Sequence, residues 1–500
     1  MPDFSQRAAP LYRAARIYLQ HQYIPLHVPL HGQGAGAPHL ARSGLAPLLR
    51  WDLTEVGNLD DLHLPAGPLY RAQLLAARLF GASRTFFLVN GVSGGLLALL
   101  LAVIRPGEKV LISRLSHKAV LHGLMLCGAV PVYLPVEREP QSGFPLNVAP
   151  ATVEAALRRH PDTRLLLLTS PTYWGVTADL QEIARLARRC GVLFAVDEAH
   201  GGHLPFYGDM PHSAAAGADF WLHSGHKTLG ALTPGAFLHL APAHAAPMLP
   251  FWLQALQTSS PPYPVMISLD LARRQAALEG KSLFRQARRW ARSLRSALQH
   301  EGLSLLTEEK VKAAGFALDP CRVTLLLPCG GGIELAKRLA RHCRLQVEMA
   351  AENCLLAVCG PAQLGLSPRA LARVMCRIVS PEFRQSAAAP PELLLPFCFA
   401  RPDAAAPDAA MKDLLSFPLP PQAAAALPAH FLPLQRCAGQ ICAEMVVVSP
   451  PGIPLLAPGE SIGGEMIDIL LRLRSRGIRF QGAADPTLRC LKVIENLCSI

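Results

Sequence analysis

Between residues 68 and 240, helical patterns alternate with short apolar runs, and this alternation constrains the fold more than any other feature. The apolar runs have the length of buried strands and lie at 86–89, 109–112, 130–133, 164–169 and 192–196. The helical patterns include 69–80, a helix from Gly95, 118–127 and 180–190. Strands that alternate with helices predict an α/β fold with a mostly parallel sheet and helices on both faces. Ligands of such sheets bind at the carboxyl ends of the strands, so residues that follow the strands are the first site candidates.

The rest of the chain supports a division into five parts. We predict an N-terminal arm at 1–50, a large domain at 51–300 and a small α/β domain at 301–385. An Ala/Pro-rich connector with little regular structure follows at 386–430, and a C-terminal domain at 431–500. A chain of 500 residues is too long for one core, so more than one domain is expected.

Composition excludes several classes of protein. Half of the residues are hydrophobic (51%) and few are charged (17%), which is typical of a globular protein and not of a disordered one. The net charge of +12 comes from dispersed Arg and Lys without a dense basic run, so we expect no nucleic-acid partner. The thirteen cysteines form no Cys-x-x-Cys pair, so no zinc site or other metal site is predicted.

Location follows from what the sequence lacks. The longest apolar stretch, 96–104, is too short to span a bilayer. The first residues, Met-Pro-Asp-Phe, do not show the basic-then-apolar pattern of a signal peptide. We therefore expect a cytoplasmic protein with no membrane partner.

Two polar motifs suggest the chemistry. Asp197 and His200 follow a buried strand, and Lys227 lies thirty residues further on in the sequence Ser224-Gly225-His226-Lys227. A carboxylate to hold a pyridinium nitrogen and a lysine to form a Schiff base are what a pyridoxal phosphate enzyme requires. Either motif alone is weak, since a lone lysine is usually a surface charge. The order of the two motifs along the chain and the residues around them favour a cofactor site.

Small residues and a histidine extend this site. Ser93 and Gly94 lie in a Gly-rich segment, residues 90–95, between a strand and an apolar helix. Backbone N–H groups at such a helix N-terminus can bind a phosphate, although the segment alone is equally compatible with an ordinary turn. His117 follows a strand, where its ring could stack on a cofactor or simply face solvent. His203 and His223 are assigned packing or surface roles.

Together these motifs resemble the Orn/Lys/Arg decarboxylases, pyridoxal-phosphate enzymes of fold type I, in a short form without the N-terminal wing domain. The resemblance covers nearly the whole chain. It runs through Asp52-Leu53-Thr54-Glu55, Leu59-Asp60-Asp61-Leu62-His63, Phe87-Leu88-Val89-Asn90-Gly91, Pro171-Thr172-Tyr173-Trp174-Gly175, Asp197-Glu198-Ala199-His200-Gly201, Ser224-Gly225-His226-Lys227-Thr228-Leu229, Pro450-Pro451-Gly452-Ile453-Pro454 and Pro458-Gly459-Glu460. The chain departs from the family pattern at Leu30, Gly32, Val92 and Ser449.

The resemblance implies a role for each motif. The large domain would bind pyridoxal 5′-phosphate, with Lys227, Asp197 and His117 as the catalytic residues: Lys227 carries the cofactor, Asp197 pairs with the pyridine nitrogen, and His117 stacks on the ring. The cofactor phosphate would be held by the following residues: Ser93, Gly94, Ser224 and His226. His200 would help to fix the ring, and Glu460 would contact the distal cationic group of the substrate. The family is usually a homodimer with its active site at the subunit interface.

The implied reaction is loss of CO₂ from a basic amino acid, with arginine first and lysine or ornithine next, in polyamine-related metabolism. Two alternatives stay open. Another fold type I reaction, an aminotransferase or lyase, would usually need an arginine for the α-carboxylate, and none in these motifs fits that role. The second alternative is a relative of the decarboxylases with weakened catalysis.

Overall fold

The computed structural model describes residues 5–241, 246–327, 330–379 and 417–495. The chain divides into two compact units, residues 1–103 with 195–285 and residues 104–194 with 286–500. Each unit therefore combines segments that are far apart in sequence. The five-part division stays a prediction.

Helices and strands alternate along the described chain. The helices are α1 (Pro10–Gln20), α2 (His39–Trp51), α3 (Pro68–Phe80), α4 (Gly91–Val103), α5 (Lys118–Cys127), α6 (Pro150–Arg159), α7 (Leu180–Arg189), α8 (Ser213–Ala216), α9 (Gly225–Thr228), α10 (Leu249–Leu256), α11 (Tyr263–His300), α12 (Glu308–Ala313), α13 (Gly332–Cys343), α14 (Pro368–Ile378), α15 (Pro421–Ala426) and α16 (Gly464–Ser475). The strands are β1 (Arg84–Leu88), β2 (Lys109–Ser113), β3 (Val130–Leu134), β4 (Thr163–Thr169), β5 (Val176–Thr177), β6 (Leu193–Asp197), β7 (Phe220–Ser224), β8 (Ala236–Leu240), β9 (Ala317–Leu318), β10 (Arg322–Leu326), β11 (Met349–Ala350), β12 (Cys354–Val358), β13 (Ala429–Pro433), β14 (Val446–Val448), β15 (Ile453–Leu456) and β16 (Cys490–Ile494).

The largest sheet has seven strands in the order β1-β8-β7-β6-β4-β2-β3. β2 pairs in parallel with β3 and β4, and β6 pairs in parallel with β7. β8 is antiparallel to both of its neighbours, β1 and β7. The predicted α/β fold with a mostly parallel sheet is thus confirmed.

In the first unit, helices cover both faces of β1, β8 and β7. α4 is apolar on almost every side, as expected of a helix buried in a core. A Cβ at Gly95 would lie 2.6 Å from Leu88 Cδ1 and 2.7 Å from Leu222 Cδ2, so only glycine lets α4 approach the sheet this closely. On the opposite face, the Phe80 ring of α3 packs 5.7 Å from that of Phe237. The strand ends are therefore fixed from two sides.

The second unit has a separate antiparallel sheet, β10-β12-β11, and two-stranded pairs β13-β16 and β14-β15 in its C-terminal part. One apolar core joins this part to segments before and after β4. Its buried members include Phe144, Trp174, Leu455 and Phe480. The C-terminal part is thereby packed into the second unit by an extensive apolar contact.

The helix bounds show where local sequence decides structure. α5 has the predicted bounds, since His117 caps its start and Gly128 ends it in the left-handed conformation (φ 69°). α4 begins at Gly91, four residues before the predicted start, so the Gly-rich segment forms its first turn. Within the described residues, no helix combines the length and apolar character needed to cross a membrane.

The connector predicted at 386–430 is only partly described, because residues 386–416 lie outside the described residues. The prediction of little regular structure is wrong for its end, where α15 and β13 form. Pro421 occupies the first turn of α15, a position that needs no backbone N–H donor, and the alanines that follow favour a helix.

Candidate active site

Asp197, the last residue of β6, provides a buried carboxylate. Its residue is only 4% exposed, and Oδ1 accepts one hydrogen bond, from the Ala199 N–H at 3.2 Å. Burial raises the pKa of the carboxyl, while the charge of Lys227 acts in the opposite direction. A buried carboxylate with so little compensation has the chemistry to hold a protonated ring nitrogen.

Lys227 lies in the single turn α9, directly after β7, and its side chain is exposed. Its Nζ lies 3.2 Å from Nε2 of His200, which is itself buried. When the imidazole is neutral at Nε2, it can accept a hydrogen bond or a proton from the ammonium group. The pair therefore supplies an amine that a ligand can reach, beside a base that can activate it.

The turn around Lys227 is held by hydrogen bonds on both sides. The Thr228 hydroxyl donates to the Ser224 carbonyl at 3.0 Å, and His226 Nδ1 lies 3.2 Å from the Gly235 carbonyl. Burial lowers the pKa of His226, the Gly235 carbonyl raises it, and Lys227 lowers it further, with a net lowering. Because Nδ1 donates to the carbonyl, Nε2 can donate to an anion only when the ring is protonated.

The N-terminus of α4 offers the predicted phosphate cradle. Ser93 is exposed and Gly94 is half-buried in the first turn. A Cβ at Gly94 would lie 2.9 Å from Cβ of Asn90, and Asn90 is fixed by donating from Nδ2 to the Leu256 carbonyl at 2.8 Å. The N–H groups of a helix's first turn, an exposed hydroxyl and a closely packed backbone are the features that suit a phosphate. The residues of the first unit thus fit pyridoxal phosphate.

His117, in the second unit, is held between a helix and the C-terminal part. Its Nδ1 accepts from the Ala119 N–H at 3.2 Å and caps α5. A Cβ at Gly452 would lie 2.9 Å from its Nε2, and Gly452, with φ 82°, accepts a hydrogen bond from the Lys118 N–H at 2.9 Å. The Pro-Pro-Gly segment therefore packs directly against this histidine, and glycine is required there.

Glu460, also in the second unit, has partners within the fold. Its Oε1 lies 3.1 Å from Arg114 Nη1 and accepts a hydrogen bond from the Tyr133 hydroxyl at 2.6 Å. Burial alone would lower the pKa of Arg114, but Glu460, with a smaller contribution from Tyr133, more than offsets this and raises it. Burial and Glu460 raise the pKa of the Tyr133 hydroxyl well above its ordinary value. The carboxylate is thus neutralised and oriented by its own chain.

Comparison with known proteins decides the family. A family model described as "Orn/Lys/Arg decarboxylase, major domain" matches residues 9–323, and one described as "Orn/Lys/Arg decarboxylase, C-terminal domain" matches residues 418–487. The chain belongs to the Orn/Lys/Arg decarboxylase family. The fold type I architecture and the predicted enzyme class, a pyridoxal-phosphate-dependent decarboxylase of a basic amino acid, are confirmed. The cofactor itself is implied by the family.

Two bacterial arginine decarboxylases match over almost their whole length. The arginine decarboxylase of Bacillus subtilis (strain 168) is 32% identical, over 98% of this chain and 99% of the relative. The arginine decarboxylase of Halalkalibacterium halodurans is 30% identical, over 98% of both chains. The solved structure of the Escherichia coli constitutive lysine decarboxylase has a TM-score of 0.76 at 20% identity, covering 98% of this chain and 82% of that one, and shows the same fold.

In this decarboxylase, the structure groups most predicted site residues within the first unit, and their individual roles stay predictions. Those in the first unit are Ser93, Gly94, Asp197, His200, Ser224, His226 and Lys227, whereas His117 and Glu460 belong to the second.

Sequence reasoning missed a buried polar network behind the site strands. His223 is 1% exposed and bonds to Glu198, and His239 bonds to His223. The surface alternative for His223 is therefore wrong, and the packing alternative is correct but incomplete. The available signal was a single histidine in each of two largely apolar strands, β7 and β8. A polar side chain there must find a buried partner.

Proposed function

We propose that this protein decarboxylates arginine to agmatine and CO₂ with pyridoxal 5′-phosphate, in polyamine-related metabolism. The observation that carries the cofactor site is the buried Asp197 carboxylate near the accessible Lys227 and its partner His200. The choice of arginine over lysine or ornithine is supported by the two relatives named arginine decarboxylase that match over nearly the full chain.

When bound, pyridoxal phosphate supplies an electron sink for the electrons of the bond that breaks as CO₂ leaves. Asp197 would keep the ring nitrogen protonated by electrostatic attraction, which is strong because the carboxylate is buried. The Ser224 and Ser93 hydroxyls and the first turn of α4 would hold the phosphate, and the family resemblance assigns His117 to the ring. The contacts within the first unit would fix the position of the cofactor relative to Lys227.

Lys227 and His200 handle the protons. His200 takes a proton from Nζ, which leaves the neutral, nucleophilic amine. After CO₂ has left, Lys227 or a nearby histidine such as His200 returns one proton to the α-carbon. Arginine and one proton are thus converted to agmatine and CO₂.

We propose Glu460 as the contact for the distal guanidinium of the substrate. Arg114 and Tyr133 orient the carboxylate, and a carboxylate has about four acceptor sites, so capacity remains. Glu460→Gln is then expected to raise KM for arginine more than it lowers kcat. An unchanged KM would remove Glu460 from the substrate site.

The exposed arm supports a homodimer. Leu26 and Leu30 are 94% and 90% exposed and Ile24 is 85% exposed, which is a large apolar surface for one short segment. We propose that a second copy covers it. A monomeric mass by light scattering at micromolar concentration would contradict this, as would a dimer that persists when all three residues are replaced by serine.

The proposed cytoplasmic location is testable by cell fractionation.

The substrate is identified by a product assay. Purified protein is mixed with pyridoxal phosphate and, separately, arginine, lysine or ornithine, and the amine is identified by mass spectrometry. We expect agmatine to form fastest. Cadaverine or putrescine as the main product would reassign the substrate, and a keto acid without CO₂ would contradict decarboxylation.

A further inference from the structure

Four buried side chains form a continuous hydrogen-bonded series across the sheet of the first unit. Thr85 Oγ1 lies 2.8 Å from His239 Nδ1, and His239 Nε2 lies 3.2 Å from His223 Nδ1. His223 Nε2 lies 2.8 Å from Glu198 Oε2, and Glu198 Oε1 accepts from the Ser213 N–H at 3.1 Å. We call the series Thr85, His239, His223 and Glu198 the histidine bridge. It links β1, β8 and β7 to the residue that follows β6.

The histidine bridge is closed to water. Each of its four members is at most 1% exposed. The Phe80 ring packs 5.0 Å from the rings of both His223 and His239, and the Trp221 ring stacks on His239 at 5.3 Å. Each polar atom of the bridge therefore depends on its neighbour in the series, because a lost hydrogen bond cannot be replaced by solvent.

These contacts leave one consistent arrangement of protons when both histidines are neutral. An ionised Glu198 only accepts, so His223 Nε2 must donate to it. His223 Nδ1 is then an acceptor and requires a donor from His239 Nε2. His239 Nδ1 in turn requires the Thr85 hydroxyl as its donor. Glu198 therefore fixes the tautomers of both histidines, and the Thr85 hydroxyl on β1 completes the series as its last donor.

The histidine bridge lies behind the cofactor site. Asp197 is paired in register with Leu222, which faces α4, whereas Glu198 reaches His223 on the face covered by α3. Successive residues of an extended chain point to opposite faces of the sheet, so the side chains of Asp197 and Glu198 lie on opposite faces at the end of β6. The same alternation on β7 places Ser224 next to His223. Asp197 and Ser224, two of the residues proposed to bind the cofactor, are thus each next in sequence to a bridge member.

We propose that the histidine bridge positions the cofactor site, by fixing the backbone that carries Asp197 and Ser224. This deepens the proposed function and rests on it. The bridge members touch neither substrate nor cofactor, so they are positioning residues. Disturbing the bridge at Thr85, its far end, should loosen the site although Thr85 lies three strands away from β6.

The experiment uses a matched pair of substitutions at Thr85. Thr85→Val keeps the shape but removes the donor, whereas Thr85→Ser keeps the hydroxyl. Thr324→Val is the control, because Thr324 is fully buried in β10 and its hydroxyl has no hydrogen-bond partner within the described residues. Two quantities are measured: the Kd for pyridoxal phosphate from the visible absorbance, and amide hydrogen exchange at residues 197–199 in the cofactor-free full-length protein.

We expect Thr85→Val to raise the Kd about ten-fold, as the loss of one buried hydrogen bond implies, and to speed exchange at 197–199 by a similar factor. Thr85→Ser and Thr324→Val should stay within about two-fold of wild type in both measurements. In a His239→Phe background, which preserves ring stacking but already breaks the bridge, Thr85→Val should add little.

Several results would overturn the proposal. One is a Kd and an exchange rate for Thr85→Val within about two-fold of wild type, and another is an equal effect of Thr324→Val, since that would be general loosening. Full additivity with His239→Phe would show that Thr85 acts outside the bridge. If wild type binds no pyridoxal phosphate, the proposed function fails, and the exchange measurement still decides whether the bridge fixes residues 197–199.

Discussion

Two charged clusters of this molecule differ in how far the fold itself satisfies them. In the second unit, Glu460 has both a cation and a hydroxyl, from Arg114 and Tyr133. In the first unit, buried Asp197 receives one backbone hydrogen bond, and Lys227 is exposed. A buried charge that has partners within the fold is tolerated there, whereas an undercompensated one is costly and is retained where a ligand completes it. The predictions below test this difference.

The largest effect is expected at Lys227. Lys227→Ala removes the nucleophile, so activity should fall by more than about a thousand-fold and the Lys227-dependent visible absorbance of the bound cofactor should disappear. Lys281→Ala, at an exposed position of α11, is the control and should leave both unchanged. Absorbance that persists in Lys227→Ala would invalidate the assignment of this lysine.

The second effect concerns stability of the second unit. Arg114→Leu leaves the buried Glu460 without its cation, and the free energy of unfolding should fall by about 3–5 kcal/mol. Adding Glu460→Leu should recover most of the loss, because the unpaired charge is then gone. Urea unfolding of the cofactor-free protein measures both. A double variant that is less stable than Arg114→Leu would show that packing matters more than charge.

Asp197→Asn should separate function from stability. Activity should drop by about a hundred-fold or more, because the ring nitrogen loses its counter-charge. The cofactor-free protein should be as stable as wild type or gain about 1 kcal/mol, because a buried undercompensated carboxylate is removed. Steady-state kinetics and urea unfolding are compared on one preparation. A large loss of stability would mean that Asp197 is a structural charge like Glu460.

The smallest effect is a pH dependence from the histidine bridge. Burial, with a smaller contribution from His223, holds the pKa of His239 well below its ordinary value. Below pH 6.5 the unfolded chain therefore binds a proton that the folded protein does not, so stability falls as pH decreases from about 6.5. His239→Phe should lessen this fall by about 1 kcal/mol per pH unit. The free energy of unfolding of wild type and of His239→Phe is measured at pH 7, 6 and 5. Equal slopes against pH for the two proteins would contradict a neutral buried His239.

Local signals made much of the fold predictable. The bounds of α5 match the prediction because a capping histidine and a terminal glycine mark them. The start of α4 was misplaced, since glycines in a first turn cannot be distinguished from a loop by propensity alone. The antiparallel direction of β8 depends on long-range pairing with β1 and β7, which short-range patterns do not encode.

The candidate site was predictable where a residue type has few other uses. Asp197 and Lys227 stood out because charges at strand ends require an explanation. The partners of Glu460 could not be predicted, because Arg114 and Tyr133 are far from it in sequence and belong to no distinctive motif. The hydrogen bonds of the histidine bridge could not be predicted for the same reason, since its members become neighbours only when the strands pair.

The contact between His117 and Gly452 has a consequence for how the protein is made. The two residues are far apart in sequence, yet the backbone beside the imidazole is completed only by the glycine. During synthesis at about 5–20 residues per second, Gly452 leaves the ribosome tens of seconds after His117. A nascent chain therefore contains Lys227 and Asp197 long before it can hold His117 in place. Chains terminated before Gly452 lack the contact with His117 altogether.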